Sequence, residues 1–180
     1  MRGWRLSWSA FDGNLIILPF DNLYNASWVS QLLCGVMNLS KSSLLMAGVD
    51  PKNLKVEGEE TNAKWLKKIQ RIFEESSKKI EPSNKNNFLG ISFVPVKDDV
   101  DSTEKPSSYV VRIIAYPFLS KHVYYVSDYE KGFHKTYKVY SLKNIESESI
   151  EPLLVKDLSI YKMIHRKFQF KRPNRPIHNH

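Results

Sequence analysis

Residues 109–154, YVVRIIAYPFLSKHVYYVSDYEKGFHKTYKVYSLKNIESESIEPLL, decide the fold class of this chain. Tyr109, Val110, Val111, Ile113 and Ile114 form a β-branched and aromatic run broken only by Arg112, a composition that favours a strand over a helix. Pro117 has no amide to give a ladder and ends the run. A second run spans 122–129 through Val123, Tyr124, Tyr125 and Val126. Glu130, Lys131 and Gly132 then supply a turn, the glycine permitting a positive φ. Residues 133–140 alternate, with Phe133, Lys135, Tyr137 and Val139 on one face and His134, Thr136, Lys138 and Tyr140 on the other. The two runs about Gly132 read as a hairpin, 141–145 as a short polar bridge, and 150–155 as a further strand.

The same residues carry a likeness. Val123-Tyr124-Tyr125-Val126, a charged turn, Lys135-Thr136-Tyr137-Lys138-Val139 and then Leu142-Lys143-Asn144-Ile145 resembles, across 117–145, the WYL domain, a small Sm-like β-barrel of bacterial regulators. The resemblance puts Tyr124 at the family's tyrosine, Lys135 and Lys138 at two arginines, Tyr137 at a phenylalanine and Asn144-Ile145 at an Arg-Ile step. Val123 stands where the family has tryptophan, and no arginine occupies a matched position. Lysine does not reproduce arginine's planar two-pronged fork. The resemblance therefore implies the barrel and its regulatory setting rather than an inherited ligand site.

Outward from this stretch, Trp4, Leu6 and Trp8 alternate, Asp12-Gly13 follows as a hairpin turn, and Leu15, Ile16, Ile17 and Leu18 precede Pro19. Residues 4–18 are thus expected to form an N-terminal β-hairpin. Residues 25–47 are helical in pattern, through Trp28, Leu32 and Leu33, with Gly35 weakening the run. Ser40 is the expected N-cap of a short second helix through Leu44, Leu45 and Ala47, closed by Gly48. This pair reads as structural rather than as a DNA-reading helix-turn-helix, because Lys41 is the only cation on its second member. The strongest helix is 61–80, with Trp65, Ile69, Ile72, Phe73 and Ile80 on one stripe and Lys64, Lys67, Lys68 and Arg71 on a basic outer face. Strand character returns at 88–96, and 97–108, KDDVDSTEKPSS, reads as a mobile loop between an N-terminal α+β half and a β-rich half, across which strand 88–96 can still pair.

The expected fold is α+β: an N-terminal β-hairpin and helical segment packed with a mostly antiparallel β-sheet or small barrel, followed by a basic C-terminal tail. Its parts are 1–96, an α+β portion; 97–108, the loop; 109–166, the β-rich portion; and 167–180, a basic flexible tail. Hydrophobic residues at 42% and charged residues at 26% suit an ordinary globular domain. No apolar run is long enough to span a bilayer as a helix, and the first residues lack the apolar region of a secretory signal. With a single cysteine, Cys34, among apolar neighbours, the expected setting is intracellular and reducing, cytoplasmic or nuclear/nucleoid.

Charge points to a partner. Of the formal +8, residues 156–180 hold +6, with seven Lys or Arg against Asp157. Such asymmetry suits nucleic acid, an anionic surface or an acidic protein. Lys167, Lys171, Arg172 and Arg175 are the candidate phosphate contacts, interleaved with Phe168 and Phe170 as candidate stacking rings. Lys135, Lys138 and Tyr124 are the candidates on the sheet. A solubilising tail or an oligomer arm is the alternative reading of 167–180.

Catalytic patterns are missing from the sequence. None of the five histidines pairs with Cys34 at zinc spacing, the seven glycines form no phosphate loop, and Asp98, Asp99 and Asp101 lack partner carboxylates at a fixed offset. The reading is a non-enzymatic nucleic-acid-binding module, regulatory or part of a complex, with no cofactor or metal. DNA and RNA both remain open, as does the oligomeric state. One alternative is a protein–protein interaction subunit that offers Trp4, Trp8, Tyr124 and Tyr140 with the basic arm to an acidic protein. Another is a small nuclease or hydrolase whose site leaves no motif.

Overall fold

The computed structural model describes residues 13–39, 41–81, 88–97, 106–116, 123–129, 135–143 and 151–155. In chain order they form β1 (Asn14–Leu18), a 3-10 turn (Phe20–Tyr24), α1 (Ala26–Met37), β2 (Ser43–Ala47), β3 (Glu59–Glu60), α2 (Ala63–Lys78), β4 (Ile80–Glu81), β5 (Phe88–Val96), β6 (Ser108–Tyr116), β7 (Tyr125–Tyr129), β8 (Lys135–Lys138), β9 (Tyr140–Lys143) and β10 (Glu151–Leu154). The architecture is α+β, as the pattern of elements leads one to expect.

The β-branched run that heads the deciding stretch becomes β6, the centre of the main sheet. One edge of β6 pairs antiparallel with β5 from Phe88↔Tyr116 to Val96↔Ser108. The other edge is shared: β2 takes Val111 to Ala115, and β3 takes Ser108 and Tyr109. β1 lies outside β2 and is parallel to it, from Asn14↔Ser43 to Leu18↔Ala47, with α1 as the crossover. All other described pairings are antiparallel. β4, β7 and β8 form a second sheet, and β9 with β10 a two-stranded one.

Side-chain alternation splits the main sheet into two faces. Ile16, Leu18, Leu45, Ala47, Val111, Ile113 and Ala115 enter the principal core with the helices. Met46 and Val110 belong to a smaller cluster on the reverse face, with Leu15, Ile17 and Leu44 packed against it.

Two segments depart from the expected elements. The short helix at 40–48 is a strand. Five residues, SLLMA, are too few for a period to distinguish helix from strand. Between two strands that both offer ladders, an apolar run buried on both faces is a strand. Gly48 does terminate it, at φ 88°. Next, residues 141–143 of the expected polar bridge belong to β9: Tyr140 and Leu142, two residues apart, both pack into the core. The strand at 88–96 pairs across 97–108 with the run that follows it, hydrogen-bonded along nine residues of one sheet. The expected hairpin at 4–18 is described only from residue 13, and its second strand pairs with β2.

α1 is capped by the Asn25 side chain, which accepts from the Trp28 amide at 3.1 Å. Its sequence, ASWVSQLLCGVM, holds no charged residue, and Leu32, Leu33, Cys34, Val36 and Met37 are wholly buried. Beyond its exposed first residues, Ala26 and Ser27, the helix is largely enclosed; α1 touches α2 and β6 as well as β7, β9 and β10. Each buried leucine contributes roughly 1.5–3 kcal/mol. Gly35 lets α1 approach β9 closely, because an added Cβ would lie 2.7 Å from Leu142 Cδ2. At the C-cap, Asn38 Nδ2 donates to the carbonyls of Tyr124 (2.9 Å) and Tyr140 (3.1 Å), while its Oδ1 accepts from the Tyr124 amide (2.9 Å). One amide thus satisfies three backbone groups of the chain that follows β6.

Candidate nucleic-acid interface

α2 starts at Asn62, whose side chain accepts from the Lys64 and Trp65 amides at 3.0 and 3.2 Å. Ile69, Ile72 and Phe73 are buried against the body, and Ser76 Oγ donates to the Ala26 carbonyl at 3.2 Å. Lys64, Lys67, Lys68 and Arg71 are exposed. The first turn of α2 has no acid, so Lys64 adds to the positive pole of the helix instead of offsetting it. Lys64 with Lys68, and Lys67 with Arg71, are like-charged pairs four residues apart, each unfavourable by a few tenths of a kcal/mol, on the order of 0.2–0.5. Arg71 Nε meets Glu75 at 3.6 Å, where both side chains are well exposed.

Trp65 departs from its expected place in the buried stripe: it is 42% exposed. The helix overruns the core at this end, and the indole packs on the 3-10 turn instead. Its ring meets Tyr24 edge-on at 5.3 Å, and Tyr24 meets the buried Phe20 edge-on at 6.0 Å. Lys68 Nζ lies 4.7 Å from the Trp65 ring centre and 5.5 Å from that of Tyr24, within cation–π range. Burial first, then the nearby carboxylates of Asp21 and Glu59, hold the Tyr24 phenol above its ordinary range.

The residues expected to bind nucleic acid fall in three places. Lys167, Phe168, Phe170, Lys171, Arg172 and Arg175 lie outside the described residues. Lys135 opens β8, its backbone in register with Tyr129. Lys138 is half-buried, in a recess of about 170 Å³ between β8 and the start of α1 that Ser27, Gln31 and Lys79 also line. Tyr124 is a correction: its exposure is 0%, and the clamp from Asn38 fixes its backbone, so its ring is core and no base can stack on it. Tyr140, expected as an exposed aromatic for a protein partner, is likewise buried; Trp4 and Trp8 lie outside the described residues. Tyr137 is an outward aromatic of the β4-β7-β8 sheet, edge-on to Tyr125 at 5.0 Å.

Elsewhere the chemistry is unlike that of α2. A recess of about 390 Å³ lies where β1 and β2 end, with Asp50, Glu57 and Glu59 among its lining. Asp50 is committed to its own loop, accepting from the Lys52 amide at 2.9 Å and from Asn53 Nδ2. Such an acidic rim repels a polyanion. Cys34 is buried, its thiol 3.4 Å from the Tyr124 carbonyl and pushed up to about 12 by burial, which disqualifies it as a nucleophile. Among the described residues, no three His, Cys, Asp or Glu side chains gather as around a metal ion, and no helix is long and apolar enough to cross a membrane. Compared with known proteins, the chain matches no family model and no curated sequence.

The pairing of Trp65 with Tyr24 is beyond reach from the sequence, because the 3-10 turn lies some forty residues upstream of the helix. The signal that the sequence does offer is the crowd of cations about Trp65 in AKWLKKIQR.

Proposed function

We propose that the chain is a non-enzymatic nucleic-acid-binding module, a regulator or the subunit of a complex, in an intracellular setting. The observation that carries this reading is the exposed basic run of α2, Lys64, Lys67, Lys68 and Arg71, beside a solvent-facing indole. Residues 156–180 add most of the chain's excess positive charge, and the WYL-like pattern at 117–145 belongs to the same regulatory reading. Cations crowded on one face gain when they displace counterions from a phosphate backbone. Lys167, Lys171, Arg172 and Arg175 act as a second contact region, with Phe168 and Phe170 between them.

The test is binding of labelled single- and double-stranded DNA and RNA over a salt series, with the full chain and with residues 167–180 deleted. Log affinity should fall linearly with log salt. Deleting the four tail cations should make that slope shallower by about 3, at roughly 0.7–0.9 for each phosphate no longer neutralised. Absence of binding to every nucleic acid at low salt would refute the reading; an unchanged slope would remove the tail from it.

A further inference from the structure

We propose that the first two turns of α2, with the 3-10 turn, are a stacking platform for single-stranded nucleic acid, in which a base lies on Trp65 while Lys64, Lys68 and Arg71 take the flanking phosphates. This rests on the nucleic-acid reading above and specifies the form of nucleic acid.

Trp65 is held ready. Its edge-on contact with Tyr24, and Tyr24's with the buried Phe20, tie the indole to the core through three rings. A ring already fixed in orientation loses little freedom when a base covers it. Its exposure of 42% leaves surface for that base. Lys68 lies over the indole in the unbound state; its long stem lets the ammonium swing to a phosphate as the base arrives.

The cations lie in line. Lys64, Lys68 and Arg71 follow the i, i+4, i+7 stripe of one helix face, along about 10 Å of axis. A backbone tracking that stripe relieves the like-charge repulsion found there. Asp21 and Glu59 lie near Tyr24, so the phosphates follow α2 and not the 3-10 turn. A duplex keeps its base faces stacked inside and presents none to an indole, whereas every base of a single strand offers one. The ring therefore selects for strandedness and tolerates any sequence.

The experiment compares the full chain with Trp65→Ala and Trp65→Phe, by fluorescence anisotropy on oligo(dT), oligo(U) and a mixed-sequence duplex at one salt concentration. Thermal melts verify that the variants are folded. Trp65→Ala should weaken oligonucleotide binding about 5- to 150-fold, the range for removing a base–aromatic stack. Trp65→Phe should recover most of it, and duplex affinity should be unchanged. The two oligonucleotides show whether DNA, RNA or both are bound. If the wild type binds nucleic acid and Trp65→Ala changes nothing, or weakens duplex and single strand alike, the platform is refuted while the broader reading survives. If the wild type binds no nucleic acid but takes up poly-glutamate through Trp65, both fall and an acidic protein is the partner.

Discussion

α1 and α2 lie against each other yet have opposite surfaces. α1 has twelve residues and no charge, and most of it is buried. α2 has sixteen residues and buries only Ile69, Ile72, Phe73 and Ser76. The difference follows from position. α1 is packed by the main sheet on one side and by β7, β9 and β10 on another, so a charge at any of its buried positions, Val29, Ser30 and Leu32 to Met37, would need a buried partner. α2 closes one side of the body and is free to devote the rest of its surface to another molecule. Changes in α1 should therefore register as stability, and changes on the outer face of α2 as binding.

The largest expected contrast is in thiol reactivity. At pH 8 Cys34 should react with an aromatic disulfide reagent on the order of 10³-fold more slowly than a cysteine placed on α2 by Lys67→Cys, because so little of it is thiolate. Similar rates would break the comparison. The same burial links stability to pH. In the unfolded chain the thiol ionises near its usual ~8.5, and in the fold at about 12. Stability from keeping it neutral is thus whole below the lower value and lost as pH rises toward the upper one. Cys34→Ala should flatten that alkaline loss.

Next in size is Asn38→Ala, which removes three hydrogen bonds, from the Tyr124 amide and to the Tyr124 and Tyr140 carbonyls. Urea denaturation should show a loss of about 3 kcal/mol; a loss under about 1 kcal/mol would mean that water replaces the clamp. Gly35→Ala pits two effects against each other. Alanine favours the helix by about 1 kcal/mol, but its methyl group meets Leu142, with the Ser141 carbonyl carbon 3.3 Å away limiting retreat. Overpacking should win, for a net loss of about 1–2 kcal/mol, whereas a gain in stability would show that β9 yields. On α2, Asn62→Ala should cost about 1 kcal/mol by removing the cap, read as a lower thermal midpoint. If it also weakens oligonucleotide binding by much more than that fraying allows, the position of Trp65 depends on the cap.

Much of this organisation is legible from residue order. α2, β5, β6 and the strands β7 and β8 each follow from period or β-branching, which are local properties; the turn expected at 130–132 lies outside the described residues. The candidate site is legible only as charge: Lys64 to Arg71 stand out in the sequence, but Trp65 reads as one more member of the apolar stripe. Its exposure is set by where the body ends beneath α2, and its partner Tyr24 comes from another segment. The same reason explains the failures at Tyr124 and Tyr140, which read as surface rings until α1 and Asn38 are brought against them.

Local pattern, then, was enough for the α+β class, the main helix, the central strand and the placement of charge. Packing between distant segments settled that residues 43–47 are a strand, that β1 pairs with it in parallel, and which aromatic rings meet water. A short apolar run has no conformation of its own until a neighbouring strand or helix offers it a partner, and here those partners lie far away along the chain.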